Sequence, residues 1–195
     1  RHELGLDKDQ MMLLEDNYKG FVRGGANLSD EDKSLYSSWA EQLSLATLQF
    51  SKNVLAATNA YTLHITDEAD LAGLPEYAKV MGAETAKEKG LEGWAFTLDY
   101  PSYGPFMKYS TVRNLRQDMW VAYNSRALGG EFDNSEIVKT IVDLRIKMAN
   151  ILGYETWADY QLEERMAKDK KTVNEFISQL LVPSMEYALK DVEDV

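Results

Sequence analysis

Between Leu35 and Tyr61 the apolar residues Leu35, Trp39, Leu43, Ala46, Phe50, Val54, Ala57 and Tyr61 follow one another in steps of three and four. That spacing holds one face of a 3.6-residue helix over its whole length. At 1.5 Å per residue a helix running from Ser29 to Tyr61 is about 45–50 Å long. A rod of that reach has to lay its apolar stripe against other helices for most of its length, so the chain is constrained toward helical packing. Ser29, with Asp32 three residues on, resembles a capping box at its start, with a shorter acid than the usual Glu.

The flanking segments agree with this. Leu6, Leu13, Leu14, Tyr18 and Phe21 mark an earlier helix that ends near Gly24-Gly25. Tyr61-Thr62-Leu63-His64-Ile65-Thr66 alternates and is rich in β-branched residues, which predicts a short strand. Pro75 suits the first position of a helix that stops at Gly90. Trp94-Ala95-Phe96-Thr97-Leu98-Asp99 predicts a second strand, followed by the turn-rich Tyr100-Pro101-Ser102-Tyr103-Gly104-Pro105.

The remainder is helical. Val112, Leu115, Met119, Ala122, Tyr123 and Ala127 give one face of a helix ending at Gly129-Gly130. Asp133 or Asn134 caps the next, where Ile137, Ile141, Leu144, Met148 and Ile151 recur until Gly153. Thr156 starts a short helix reaching about Ala167. Thr172 with Glu175 forms a capping box for the last helix, in which Pro183 predicts a kink. The expected fold is mainly α: long packed helices with a small inserted β-hairpin near residues 93–109. We expect one helical unit over 1–195, with the long helix and short strand in 1–66 and the hairpin and later helices in 67–195. There is no internal repeat or low-complexity run.

The chain has 195 residues, 45% of them apolar, which is enough for a core of one domain or two small ones. No apolar run approaches the roughly 18 residues of a membrane span. Cysteine is absent, which excludes a disulfide scaffold and thiolate metal sites. With 21 Lys and Arg against 32 Asp and Glu, the net charge is −11. That sign opposes nucleic-acid binding, which needs cations to displace counterions from phosphates, and it disfavours anionic membrane surfaces. The balance suits a cytoplasmic protein, with the periplasm as the alternative. The chain opens on Arg1-His2-Glu3-Leu4 without a signal-peptide pattern, and Asp191-Val192-Glu193-Asp194-Val195 continues a helical pattern. It reads as a piece of a longer protein.

Little catalytic chemistry is encoded. His2 and His64 are the only histidines. His2-Glu3 opens like H-E-x-x-H, but Leu6 stands where the second imidazole would be. His2 therefore reads as a solvated terminal residue, and His64 as a hydrogen-bonded residue of the strand. There is no G-x-S-x-G nucleophile motif and no phosphate-cradling glycine loop. Glu163-Glu164 reads as a wet helix face rather than an acid/base pair.

Two clusters remain. Trp94, Phe96, Tyr100, Tyr103, Phe106 and Tyr109, with Pro101 and Pro105, suit either a hairpin packed on helices or a peptide-binding groove. Arg113, Arg116 and Arg126 lie roughly along one side of a helix, placed to pair with acidic neighbours or to meet a substrate carboxylate.

The run Phe96-x-Leu98-Asp99-Tyr100-Pro101-Ser102-Tyr103-x-Pro105-Phe106-Met107-x-Tyr109 resembles the family of thimet oligopeptidase and bacterial peptidyl-dipeptidase (dipeptidyl carboxypeptidase), which are zinc metallopeptidases. The likeness continues through Arg113-x-Leu115-Arg116, Ala122-Tyr123-Asn124-Ser125-Arg126-Ala127, Asp133-Asn134-x-x-Ile137 and Leu144-Arg145. It then runs through Ile151-Leu152-Gly153-Tyr154-x-x-x-Ala158-Asp159-Tyr160 to Met166-Ala167 and Val173, and is nearest the peptidyl-dipeptidase branch. The resemblance implies part of a two-lobed helical peptidase with a deep channel. It implies zinc in the full-length protein, with the H-E-x-x-H helix, the third zinc-binding Glu and the assisting tyrosines later in the family's order than Val195. No position here matches them, so no catalytic residue and no metal ligand is expected in this chain, and the piece alone is expected to be inactive.

In that reading the segment is channel wall for short peptides, and Tyr100 and Tyr103 are the candidate substrate contacts. Release of C-terminal dipeptides is the expected reaction. The remaining C-terminal part of the same peptidase is the expected partner, with self-association of the exposed piece as a consequence. The alternative is a non-catalytic helical protein-interaction module, which a downstream reading frame lacking H-E-x-x-H would favour.

Overall fold

The computed structural model describes residues 5–194, so His2 and the rest of the opening tetrapeptide lie outside the described residues. In chain order the elements are α1 (Lys8–Arg23), α2 (Asp30–Ala60), β1 (Leu63–Ile65), a 3-10 turn (Glu68–Leu71), α3 (Glu76–Glu88) and β2 (Trp94–Phe96). They continue with α4 (Tyr100–Tyr109), α5 (Arg113–Asn124), α6 (Ser135–Ile151), α7 (Trp157–Leu162) and α8 (Lys170–Glu193). The architecture is mainly α, with one small antiparallel sheet in which Leu63 pairs with Phe96 and Ile65 with Trp94. The two strands flank α3 rather than a tight turn.

The long helix starts where the capping pattern places it. The Asp32 N–H donates to Ser29 Oγ at 3.1 Å, and that hydroxyl donates to the Asp32 carboxylate at 2.8 Å. Trp39, Leu43, Ala46, Phe50, Val54 and Ala57 form its half-buried side, while Leu35 is exposed. Helices α3 and α6 close with the same hydrogen-bond pattern. At α6 the Tyr154 N–H reaches the Ala149 carbonyl at 2.9 Å, and at α3 the Leu91 N–H reaches the Ala86 carbonyl at 2.8 Å. Gly153 and Gly90 sit between, at φ of 89° and 69°, a left-handed conformation that glycine adopts without steric cost.

The chain divides into two compact units, one up to Ser44 and again from Ile141, the other Leu45–Thr140. Helices α2 and α6 contribute residues to both. In the Leu45–Thr140 unit, Ile65, Leu71, Leu74, Phe96, Leu98, Phe106 and Met119 form the buried core. Gly82 lets α3 lie directly on the Phe96 ring, since a Cβ there would stand 2.9 Å from Phe96 Cζ. In the other unit α6 buries Ile141, Leu144, Met148 and Ala149.

Several local expectations give way. The segment 100–109 is helix rather than turn. The Ser102 and Tyr103 N–H groups donate to the Asp99 carbonyl at 2.9 and 2.8 Å, and Pro101 falls in the first turn, where a missing N–H costs nothing. Helix α5 ends at Asn124, short of Gly129-Gly130, because the chain turns at Ala127 with φ of 55°. Helix α8 begins two residues before Thr172. Its cap is Asp169, whose carboxylate accepts the Thr172 N–H at 2.7 Å, and the helix is continuous through Pro183. Glu163 and Glu164 are not simply a wet face: Glu163 pairs with Arg23 and Glu164 with Lys19.

Asp159 illustrates how acid acts on this fold. Its carboxylate accepts the Thr156 hydroxyl at 2.7 Å and meets Lys170 Nζ at 3.0 Å, and these two contacts hold its pKa below the ordinary aspartate value. A depressed folded-state pKa stabilises above the unfolded carboxylate range and is lost as pH falls through the folded value. The thermal midpoint, followed by circular dichroism, is therefore expected to fall below about pH 4, and to fall less steeply in Asp159→Asn. Equal steepness in the two proteins would remove Asp159 from the acid response.

Candidate functional site

Helices α4 and α5 present the residues singled out from the sequence. On α4 the Phe106 side chain points into the core, edge-on to Phe96 with ring centroids 4.8 Å apart. Tyr103, half-buried, stacks on Tyr123 of α5 at 4.1 Å between centroids. The Arg126 guanidinium lies over the Tyr123 ring at 3.6 Å. Its position is set by Nε donating to the Tyr123 carbonyl at 2.8 Å and Nη1 donating to Thr58 Oγ1 at 3.3 Å. Burial pushes the Tyr103 hydroxyl pKa up, with Arg126 acting in the opposite sense, so the phenol stays protonated at neutral pH and remains available as a donor.

Tyr100 behaves differently. It is 76% exposed, and its ring lies over the bare backbone of Gly104, where a Cβ would meet the ring at 3.5 Å. The two candidate contacts are therefore unlike: Tyr103 belongs to an ordered stack with Tyr123 and Arg126, whereas Tyr100 projects outward. Beside the stack is an open depression of about 310 Å³, formed where Ala57, Ala60 and Ala122 leave room between Tyr61, Arg126 and Phe132. Its floor is apolar and it is open to solvent, with Arg126 and Glu131 among the residues that line it.

A second open hollow, of about 320 Å³, is lined by Met107, Arg113, Arg116, Gln117 and Trp120. Arg116 donates to the Ser110 carbonyl. Among the described residues none of Arg113, Arg116 and Arg126 forms an ion pair with an acid. Of the two roles open to these arginines, pairing with acidic neighbours is therefore not the one seen.

His64 Nε2 lies 2.6 Å from the Glu92 carbonyl oxygen and serves as a donor to it. Among the described residues no three of His, Cys, Asp or Glu are grouped to hold a metal ion. No helix among the described residues is long and apolar enough to cross a membrane.

Tyr123 and Arg126 stand in the sequence as Ala122-Tyr123-Asn124-Ser125-Arg126-Ala127, but nothing in that run announces that Tyr103 stacks on the tyrosine. Thr58 carried no signal, as it sits inside a long helix with its hydroxyl returned to the Val54 carbonyl at 2.8 Å. Of the hollow beside Trp120, only Arg113 and Arg116 stood out in the sequence, as residues three apart on one helix face, whereas Gln117 and Trp120 were not singled out.

The model of peptidase family M3 matches residues 106–195. The chain is 36% identical over 191 residues to oligopeptidase A of Haemophilus influenzae, covering 95% of this chain and 28% of that protein. It is 34% identical over 197 residues to a probable cytosolic oligopeptidase A of Arabidopsis thaliana, covering 97% of this chain and 28% of the relative. To the dipeptidyl carboxypeptidase of Salmonella typhimurium it is 30% identical over 197 residues, with coverage of 100% and 29%. Along almost its whole length the chain is thus similar to one segment of known oligopeptidases and of a dipeptidyl carboxypeptidase. These matches support, for this chain, the family of thimet oligopeptidase and peptidyl-dipeptidase, peptidase family M3. The chain spans under a third of the length of the relatives it matches. Among these three the oligopeptidase A proteins share more identity than the dipeptidyl carboxypeptidase, against the expectation that the latter branch is nearer.

Proposed function

We propose that this chain is channel wall in a zinc metallopeptidase that hydrolyses short peptides, with C-terminal dipeptides as products. The observation that carries the reading is alignment over almost the whole chain with oligopeptidase A. Zinc and the groups that act with it belong, in this reading, to other parts of the polypeptide, since the side chains described here supply no donor set for it. What this segment contributes is shape: a narrow channel admits extended peptides and turns folded proteins away. The cytoplasm is the compartment that the naming of the plant relative supports.

The partner within the same polypeptide is the remaining C-terminal part of the peptidase. Helix α8 supports this, since none of its residues is buried and Phe176, Leu180, Leu181 and Met185 are all exposed. Apolar side chains in that number on one helix call for a cover. The isolated segment, deprived of it, self-associates in this reading.

Tyr100 and Tyr103 are the proposed substrate contacts. Each, replaced by Ala in the complete enzyme, is expected to raise KM for a short peptide by about three- to tenfold, the range of one lost aromatic contact. Steady-state kinetics, with mass spectrometry of the products, measures this. Unchanged kinetics in both variants would reduce α4 to packing, and products other than dipeptides would remove the exopeptidase assignment.

A further inference from the structure

We propose that the hollow at the start of α5 is an anion subsite that takes a carboxylate of the bound peptide, an assignment that rests on the channel-wall reading above. Arg113, Arg116, Gln117 and Trp120 stand at i, i+3, i+4 and i+7, so one face of α5 turns two guanidinium groups, an amide and an indole toward the same space, with Met107 of α4 opposite. In a chain with 32 acidic residues, neither arginine has an acidic partner among the described residues. Two guanidinium groups gathered at one open hollow, with no acidic partner among the described residues, suit an anionic ligand.

Local geometry strengthens the field there. Arg113 is the first residue of α5, and the preceding Val112 offers no side-chain cap, so the first-turn N–H groups add their partial positive charge. Arg116 is oriented by its bond to the Ser110 carbonyl, which leaves the rest of its donor fork for a ligand. Trp120 is 55% exposed and gives a flat apolar wall for the carbon atoms that carry the carboxylate. The hollow also adjoins the proposed peptide surface, since Met107 lies one turn along α4 from Tyr103.

A carboxylate reaches this place either from an acidic side chain or from the peptide's C-terminus. Two probe pairs separate these sources: a short blocked peptide containing Glu with its Gln counterpart, and a free-acid peptide with its C-terminal amide. Equilibrium binding and hydrolysis of all four are measured with the complete polypeptide. In at least one pair the charged member is expected to bind about tenfold more tightly than the neutral one, the range of a charge-assisted contact. Arg113→Gln is expected to abolish most of that preference, Arg113→Lys to restore part of it, and 0.5 M salt to weaken it. The responding pair identifies the source. Loss of affinity that is equal for charged and neutral members, or no loss in either pair, overturns the subsite. Absence of hydrolysis with any peptide would defeat the peptidase reading while binding still decides the subsite. Hydrolysis without carboxylate preference would do the reverse.

Discussion

Phe106→Ala is expected to lower the stability of the Leu45–Thr140 unit by about 3–5 kcal/mol, the range for emptying a buried phenylalanine site. Phe106 is fully buried and sits edge-on to Phe96, inside a core that also holds Ile65, Leu71, Leu98 and Met119. That core draws on β1, β2, α4 and α5, so the cavity cannot close by moving one loop. Phe106→Leu keeps most of the volume and is expected to cost less than half as much. Urea unfolding followed by far-ultraviolet circular dichroism measures both. The result also separates the two readings of the aromatic cluster. If Phe106→Ala weakened peptide binding while leaving the unfolding midpoint in place, this ring would be a ligand contact and not core.

Arg23→Met is expected to cost about 2 kcal/mol, as for losing charge-assisted hydrogen bonds at a mostly enclosed site. The Arg23 side chain is 12% exposed at the end of α1. It pairs with Glu163, donates to the Tyr154 hydroxyl at 3.1 Å and to the Tyr160 carbonyl at 2.7 Å, and lies 4.2 Å from the centre of the Tyr160 ring. One guanidinium thus ties α1 to the segment 154–163. Met fills a similar volume but removes one donor from a carboxylate, a phenol and a carbonyl, while the Tyr154 hydroxyl still donates to Glu163. Glu163→Gln keeps an acceptor there and is expected to be milder. A double-mutant cycle between the two positions is expected to show coupling of about 1 kcal/mol, since both act through one contact network. Additive losses would mean that the ion pair is incidental.

Much of the fold was legible because it rests on local rules. The spacing from Trp39 to Ala57 is the half-buried side of α2, and Ser29 with Asp32 opens that helix. The alternating Leu63-His64-Ile65 is a strand, and Gly153 follows the end of α6. Where the reading failed, two local rules competed. Tyr100-Pro101-Ser102-Tyr103-Gly104-Pro105 carries turn residues, yet proline in a first turn is also a helix opener, and burial of Phe106 against Phe96 favours the helix. For α8, both Asp169 and Thr172 are good capping types, and the earlier one takes the role.

The candidate site was less legible. Tyr100 and Tyr103 were equivalent in the sequence, three residues apart in one motif, and the structure makes one an exposed ring over Gly104 and the other a member of a stack. The acids at Glu163 and Glu164 were indistinguishable from solvated ones until Arg23 and Lys19 came within reach.

From the sequence alone followed the helical class, the order of most elements, the family likeness and the lack of a metal-binding motif, because periodicity, capping and motif spacing involve residues only a few positions apart. Only the tertiary structure decided which side chains meet. Tyr103 with Tyr123, Arg126 with Thr58, and Arg23 with Glu163 are joined across long stretches of chain. Such contacts come from how packed elements dock, and docking depends on the shape of the whole core, which no local pattern contains.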